Sequence, residues 1–161
     1  MPPNVAQGSR WHFIGHLQTN KAKQVVGNFE LIHSVDSYHL AEQLSKAAGE
    51  KKTRQAILLQ VKVVDDPNKY GFSPGELKEM FPLLNKLPHL EIKGLMTITP
   101  LAADREQKQA CFNGLRNLKD ELNQRYGVEL RDLSMGMTDD WQEAISAGAT
   151  MVRLGRAIFE H

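Results

Sequence analysis

The sequence has few of the features that mark disulfide-bonded, nucleic-acid-binding and membrane proteins. Only one of its 161 residues, Cys111, is a cysteine, so no internal disulfide can form, which is usual for proteins of a reducing cytosol. The 20 basic residues are nearly balanced by 19 acidic ones, without a polybasic tail, and this argues against a nucleic-acid partner. No apolar run approaches the length of a membrane span, and the first residues lack the pattern of a signal peptide. We therefore expect a cytoplasmic protein without a membrane partner.

Nothing in the sequence divides the chain into parts. It contains no Pro/Gly/Ser-rich linker, no internal repeat and no low-complexity segment. A chain of 161 residues of which 41% are hydrophobic is long enough to bury one core. We therefore predict a single domain over residues 1–161.

Six apolar segments have the composition of β-strands, and helical patterns separate them. The predicted strands are residues 11–15, 29–35, 56–64, 90–99, 130–135 and 151–154. The predicted helices begin at Thr19 or Asn20, at Asp36-Ser37, at the capping box Ser73-Pro74-Gly75-Glu76, at residue 104 and at Thr138. Strict alternation predicts a parallel α/β sheet. Both a doubly wound open sheet and six of the eight units of a barrel fit it, and the length slightly favours the open sheet because a barrel typically needs about 250 residues.

The last two predicted strands each lead through a glycine-containing turn into a helical segment. The two stretches are residues 134–140 and 151–157. Unpaired backbone N–H groups at such turns can bind a phosphate, and two turns of this kind after the last two strands are typical of the phosphate site of a (β/α) barrel. The candidate donors are the hydroxyl of Ser134 and the N–H groups around Met135, Gly155 and Arg156. Each turn by itself is more typical of an ordinary turn and helix cap, because such turns are common in α/β folds.

Other residues have both a binding and a structural interpretation. Arg153 alternates with Val152 and Leu154, so its guanidinium faces the other side of the strand and needs a carboxylate partner or a ligand. Met96, on an interior strand, could contact a ligand or fill the core. His12 is more typical of a hydrogen-bonded core histidine. A second group is expected to be structural or exposed, and no metal site is predicted from it; it comprises Asp139, Asp140, Lys21, Lys23, Lys69, His33 and His39.

The stretch Trp11-His12-Phe13-Ile14-Gly15-His16-Leu17-Gln18-Thr19-Asn20-Lys21 strongly resembles a signature of the pyridoxal-phosphate homeostasis protein family. Five further stretches resemble the same family in the same order and at similar intervals. They are residues 34–37, 68–72, 94–98, 134–140 and 151–159. Six ordered matches are far more specific than one, and they cover nearly the whole chain from Trp11 onward.

This resemblance implies the (β/α)8 TIM-barrel type of the alanine racemase N-terminal domain and pyridoxal 5′-phosphate (PLP) as cofactor. It also implies a monomer with a role in vitamin B6 and amino-acid homeostasis, with PLP-dependent apoenzymes as candidate clients. Arg153 should then point at the pyridine nitrogen of PLP and keep it unprotonated, which weakens the ring as an electron sink.

The family's Schiff-base lysine motif and the motif of its second strand do not occur in this sequence. We therefore expect the last six βα units of the barrel and non-covalent PLP binding. Exposed sheet edges would then favour association. The alternatives are a PLP-dependent racemase-like enzyme, a fragment that is inactive or completed by a partner, and a barrel that binds other phosphates.

Overall fold

A computed structural model of the chain describes residues 8–159. Its strands are β1 (His12–Phe13), β2 (Leu31–Val35), β3 (Gln55–Gln60), β4 (Leu90–Met96), β5 (Asp132–Met137) and β6 (Met151–Arg153). Its helices are α1 (Ala22–Val25), which follows a 3-10 turn (Thr19–Lys21), α2 (Tyr38–Glu50), α3 (Pro74–Leu84), α4 (Arg105–Tyr126), α5 (Trp141–Ser146) and α6 (Arg156–Phe159). None of these helices is long and apolar enough to cross a membrane.

The six strands form one parallel sheet in the order of the sequence, β1-β2-β3-β4-β5-β6. A doubly wound sheet reverses its strand order at a switch point, and this sheet does not. Sequential order with a helix after each strand is the arrangement of a (β/α) barrel. The barrel prediction is therefore confirmed, and the preference for an open doubly wound sheet that chain length suggested is wrong.

The sheet buries its two faces in different ways. Side chains such as Ile32, Ile57 and Leu133 pack outward in the large core shared with the helices. A second, smaller cluster of Leu31, Leu58 and Met96 lies on the inner face. Because neighbouring residues of a strand point to opposite faces, Leu31 and Ile32 belong to different clusters although they are adjacent.

Two of the longer helices begin with a reciprocal cap. Ser73 accepts a hydrogen bond from the Glu76 N–H, and the Glu76 carboxylate accepts one from the Ser73 N–H, so the predicted capping box is confirmed. Asp104 and Gln107 make the same exchange at the start of α4. These caps pair backbone N–H groups that the first turn of a helix leaves without an acceptor.

Replacing Ser73 with alanine should lower the free energy of unfolding by about 1 kcal/mol, because the Glu76 N–H loses its acceptor. Urea denaturation of the two proteins measures the difference. Ser73→Asp keeps an acceptor at this position and should lose much less. Equal losses in the two variants would contradict a capping role.

Several predicted boundaries differ from the structure. Thr138 does not cap the fifth helix: β5 continues to Met137, residues 138–140 form a turn, and α5 has Asp140 at its N-cap. Neither Thr19 nor Asn20 caps α1, since both lie within the 3-10 turn. The third strand ends at Gln60, because beyond it Val61 forms only an isolated bridge with Phe72.

Candidate functional site

The inside of the curled sheet contains an apolar layer and a polar layer. Leu31 and Met151 belong to the apolar layer. His33 and Arg153 follow them by two residues on the same strands and share their face. A strand rises about 3.3 Å per residue, so the polar layer lies about 6–7 Å nearer the carboxyl ends of the strands. This is the end at which (β/α) barrels carry their active sites.

The polar layer is joined by hydrogen bonds across four strands. The Arg153 guanidinium donates from Nη1 to Ser134 Oγ at 2.7 Å and from Nη2 to the Thr97 carbonyl at 2.9 Å. Ser134 Oγ lies 2.7 Å from His33 Nδ1, and His33 Nε2 lies 3.0 Å from His12 Nδ1. The chain of contacts therefore runs from β6 through β5 and β2 to β1.

Burial determines the charges of this layer. Burial, with smaller contributions from nearby His12 and Arg153, lowers the pKa of His33 to about 3. Burial also lowers the pKa of Arg153 to about 10, opposed by the negative charge of Asp140. At neutral pH His33 is therefore uncharged and Arg153 is a cation. Among residues 8–159 no carboxylate forms an ion pair with Arg153, and its hydrogen-bond partners are neutral.

A cavity of about 600 Å³ opens beside the polar layer. His12, His33 and Arg153 give it a polar wall. The rest of its lining is mainly apolar and comprises Ile14, Ile98, Met137, Met151, Val152, Leu154 and Gly155. Its volume lies in the range of small-molecule sites, which are typically apolar with a few placed polar groups.

A larger cavity of about 750 Å³ lies at the opposite end of the strands. Most of its charged side chains are paired with each other, as in Arg10–Glu30 and Arg131–Glu129. Because the amino ends of barrel strands serve stability rather than chemistry, we assign the functional site to the smaller cavity.

The turns after β5 and β6 are held together at the mouth of the barrel. Arg156 forms an ion pair with Asp139, and both side chains are exposed. Gly155 lines the cavity, and its carbonyl accepts hydrogen bonds from the N–H groups of Ile158 and Phe159, the last two residues of α6. As the first residue of α6, Arg156 has a backbone N–H without an acceptor in its own helix. The two turns are therefore adjacent, as a shared phosphate site requires.

The predicted site residues occupy three different environments. Ser134, Arg153 and Met96 lie on the inner face, and Met96 pairs with Ser134 in the register of β4 and β5. Met135 lies inside β5 rather than in a turn, and its side chain is buried in the outer core. Gly155 and Arg156 lie at the mouth. Direct contact of each with a phosphate or cofactor stays a prediction.

Sequence reasoning missed two buried polar residues of this site. It considers His33 only as a metal ligand and rejects that role, although the alternation of His33 with Ile32 places it on the inner face with Leu31. It assigns to Asp140 only the complementing of a helix dipole. The buried carboxylate of Asp140 accepts hydrogen bonds from Thr99 Oγ1 and from the Met137 N–H, both at 2.6 Å, and so connects the turn after β5 to the segment that follows β4.

Lys69 also lies at this end of the barrel, in the loop after β3. Its ammonium group donates to the carbonyls of Ile98 and Thr99. Burial lowers the pKa of Lys69, while Asp66, Cys111 and Asp140 oppose that shift. No group of three or more metal-ligating side chains occurs in the described part of the chain, and the expectation of no metal stays a prediction.

Comparison with known proteins identifies the family of this fold and site. Residues 5–161 match the alanine racemase N-terminal domain family. Over 153 residues the chain is 48% identical to the pyridoxal phosphate homeostasis protein of Synechocystis, covering 95% of this chain and 70% of that protein. The chain belongs to the pyridoxal phosphate homeostasis protein family. The resemblance inferred from the six motifs is thereby confirmed.

Other members of the family agree with this assignment. The pyridoxal phosphate homeostasis protein of Aquifex aeolicus is 44% identical over 149 residues, which are 92% of this chain and 65% of that protein. The chain thus spans about two thirds of the length of these relatives.

Solved structures give the same fold. PipY of Synechococcus elongatus, solved with PLP bound, superposes with a TM-score of 0.88 at 42% identity over 93% of this chain and 70% of that one. An alanine racemase of Clostridium difficile has a TM-score of 0.75 at 18% identity, covering 91% of this chain and 40% of that one. The second likeness concerns the fold alone.

Proposed function

We propose that this chain is a PLP-binding domain over residues 1–161 that takes part in cytoplasmic vitamin B6 and amino-acid homeostasis. Its membership of a family named for pyridoxal phosphate homeostasis supports this, and so does the PLP bound to PipY. Within the chain, one observation carries the proposal. A cationic guanidinium without a carboxylate partner among the described residues, that of Arg153, borders a mainly apolar cavity next to the turns that follow β5 and β6.

The residues present fit the chemical parts of PLP. A flat aromatic ring suits the apolar lining contributed by Ile98 and Met151. A phosphate suits the turn at Gly155, where no side chain blocks the backbone, together with the N–H and guanidinium of Arg156. An unprotonated ring nitrogen suits Arg153, which lines the same cavity.

When bound, PLP supplies an aldehyde that reacts with amines and a ring that can accept electrons. The charge of Arg153 affects how well the ring can accept electrons. Its pKa, although lowered, is about 10, so at neutral pH the guanidinium donates a hydrogen bond and does not hand over a proton. A ring nitrogen that stays unprotonated is a weaker electron sink. This favours storage and delivery of PLP, with apoenzymes that need it as clients, over broad catalysis at amino-acid carbons.

We expect binding by this chain to be non-covalent, because the family's lysine motif does not occur in its sequence. A thermal shift experiment with the purified chain tests binding. At a PLP concentration 100 times the Kd, ligand binding contributes about 2.7 kcal/mol, which raises Tm by about 5–10 °C for a domain of this size. Arg153→Met should abolish most of that rise. Arg131→Met, which removes an exposed arginine at the other end of the barrel, should leave it intact.

Borohydride reduction followed by peptide mapping tests the non-covalent mode. No stoichiometric adduct is expected. An adduct at a single lysine, with Lys69 the first to inspect because it lies at the same end, would refute non-covalent binding while supporting the PLP site. The absence of both an adduct and a thermal shift would refute PLP binding by this chain. Exchange of amino-acid α-protons in the presence of PLP would favour the racemase-like alternative.

A further inference from the structure

Ser134 occupies an interior position between two nitrogen groups. Its side chain is fully buried, with Arg153 Nη1 and His33 Nδ1 both at 2.7 Å from its hydroxyl oxygen. A hydroxyl has one proton to donate and two lone pairs with which to accept. Both of these contacts of the Ser134 hydroxyl are with other side chains of the protein, so the hydroxyl is already engaged and is not held free for a ligand.

The direction of each hydrogen bond follows from what its members can donate. Arginine only donates, so Ser134 Oγ accepts from Arg153. If His33 Nδ1 also donated, the Ser134 proton would be left in a buried position without an identified acceptor, which is unfavourable. If His33 Nδ1 accepts instead, that proton is satisfied. The second arrangement requires the His33 tautomer with its proton on Nε2, which then donates to His12 Nδ1.

We propose that Ser134 and His33 are positioning residues that hold the Arg153 guanidinium towards the ligand cavity, with every donor directed from Arg153 through Ser134 and His33 to His12. Ser134 thereby acts on a bound ligand through Arg153 and not by touching its phosphate. This assignment rests on the proposed function, since it concerns the part of the PLP site that faces the ring.

The arrangement is stable only while His33 is uncharged. A protonated His33 would have to donate from Nδ1 and would place a second cation next to Arg153. The buried position of His33 on the inner face opposes that state, and its low pKa of about 3 reflects the same burial. Nδ1 therefore remains an acceptor throughout the physiological range. The second amino group of Arg153 is fixed independently by the Thr97 carbonyl, so two points orient the plane of the guanidinium.

A double-mutant cycle on ligand affinity tests whether Ser134 acts by positioning Arg153 or by contacting the phosphate of the ligand. We expect Ser134→Ala to weaken PLP and pyridoxal, which has no phosphate, by the same factor of about ten or more, the range for a hydrogen bond to a charged group. In an Arg153→Met background Ser134→Ala should weaken binding no further, because its effect acts through Arg153. If Ser134→Ala weakened the binding of PLP but not of pyridoxal, the proposal would be overturned. It would also be overturned if the affinity losses of Ser134→Ala and Arg153→Met added fully in the double variant.

Nuclear magnetic resonance of the ligand-free chain gives an independent readout. The ¹⁵N shifts of His33 should show Nε2–H with a bare Nδ1 from pH 8 down to about pH 5, since burial keeps the ring neutral over that range. Resolved Arg153 guanidinium signals, which indicate restricted rotation, should merge in Ser134→Ala. The exposed His39 serves as control, because its signals should not respond to Ser134→Ala. An Nδ1–H tautomer of His33 would overturn the proposal, as would unchanged Arg153 signals in Ser134→Ala.

The two proposals fail in distinguishable ways. A wild-type chain that shows no affinity for PLP refutes the proposed function, and the tautomer and guanidinium signals then decide the positioning role alone. A chain that binds PLP but shows additive losses keeps its function and loses the positioning assignment. If Ser134→Ala does not fold, His33→Asn replaces it in the cycle, since this change removes the imidazole and leaves the Ser134 hydroxyl in place.

Discussion

Replacing Gly94 with alanine should lower the free energy of unfolding by about 3 kcal/mol or more, the upper range for overpacking a close-fitted interior. A Cβ at this position would lie 1.9 Å from the Asp132 carbonyl oxygen and 2.6 Å from its carbon. Both belong to the backbone of the neighbouring strand, which pairs with Gly94 in register. No rotamer change can relieve the clash, so β4 and β5 would have to separate. Urea denaturation followed by circular dichroism measures the loss.

Gly75→Ala is the matched control for this substitution. Gly75 lies in the first turn of α3, and no atom comes within 4 Å of the point that an alanine methyl group would occupy there. Alanine at this position restricts the unfolded chain without strain and should stabilise the protein slightly, by about 0.4–1 kcal/mol. A Gly94→Ala variant no less stable than Gly75→Ala would mean that the two strands can move apart freely.

The clash at Gly94 also bears on function. Two residues further along the same pair of strands, Met96 lies opposite Ser134, and Ser134 carries the hydrogen bond from Arg153. The close approach of β4 and β5 therefore sets the spacing of the polar layer. Any Gly94→Ala protein that still folds should lose affinity for PLP together with stability.

The parts of the fold that depend on local patterns could be predicted from the sequence. The capping box at Ser73 is a four-residue pattern, and the inward direction of Arg153 follows from its alternation with Val152. The curl of the sheet could not be obtained in the same way, because alternating strands and helices fit two topologies equally. The two predicted turns after the last strands and the ordered family motifs favoured the barrel, which the sequential strand order confirms.

The site was harder to predict because its contacts join distant parts of the chain. His33 and Ser134 are 101 positions apart, and they meet only because the curl of the sheet brings the inner faces of β2 and β5 together. Periodicity assigns each of them to a face but does not identify its partner. The prediction of Thr138 as a helix cap fails for a related reason. The end of β5 depends on pairing with β6, which extends to the pair Met137–Arg153, and no local pattern encodes it.

His33 should make the protein lose stability as the pH falls from about 6.5 to about 3. In the unfolded chain the imidazole takes up a proton near its ordinary pKa of 6.5, whereas in the folded protein it does so only near pH 3. Between these values the unfolded state binds one proton more than the folded state, so acid favours unfolding. One proton corresponds to a slope of about 1.4 kcal/mol per pH unit. Above pH 6.5 His33 is neutral in both states and causes no loss of stability, and the loss grows progressively as the pH falls from there to about 3.

Comparison with His33→Asn isolates this contribution from the other titrating groups. The variant lacks the imidazole, so its free energy of unfolding should fall less steeply with pH than that of the wild type. The difference in slope should reach the value for one proton, about 1.4 kcal/mol per pH unit, in urea denaturation at half-unit steps of pH. His39→Asn, on the exposed side of α2, controls for the loss of a histidine from the chain. Parallel curves for wild type and His33→Asn would mean that His33 accepts a proton in the folded state. His33 Nδ1 would then no longer accept the hydrogen bond of Ser134 under the same conditions, and the orientation of Arg153 would be lost with it. The stability of the protein in acid and the geometry of the site therefore depend on the same buried imidazole.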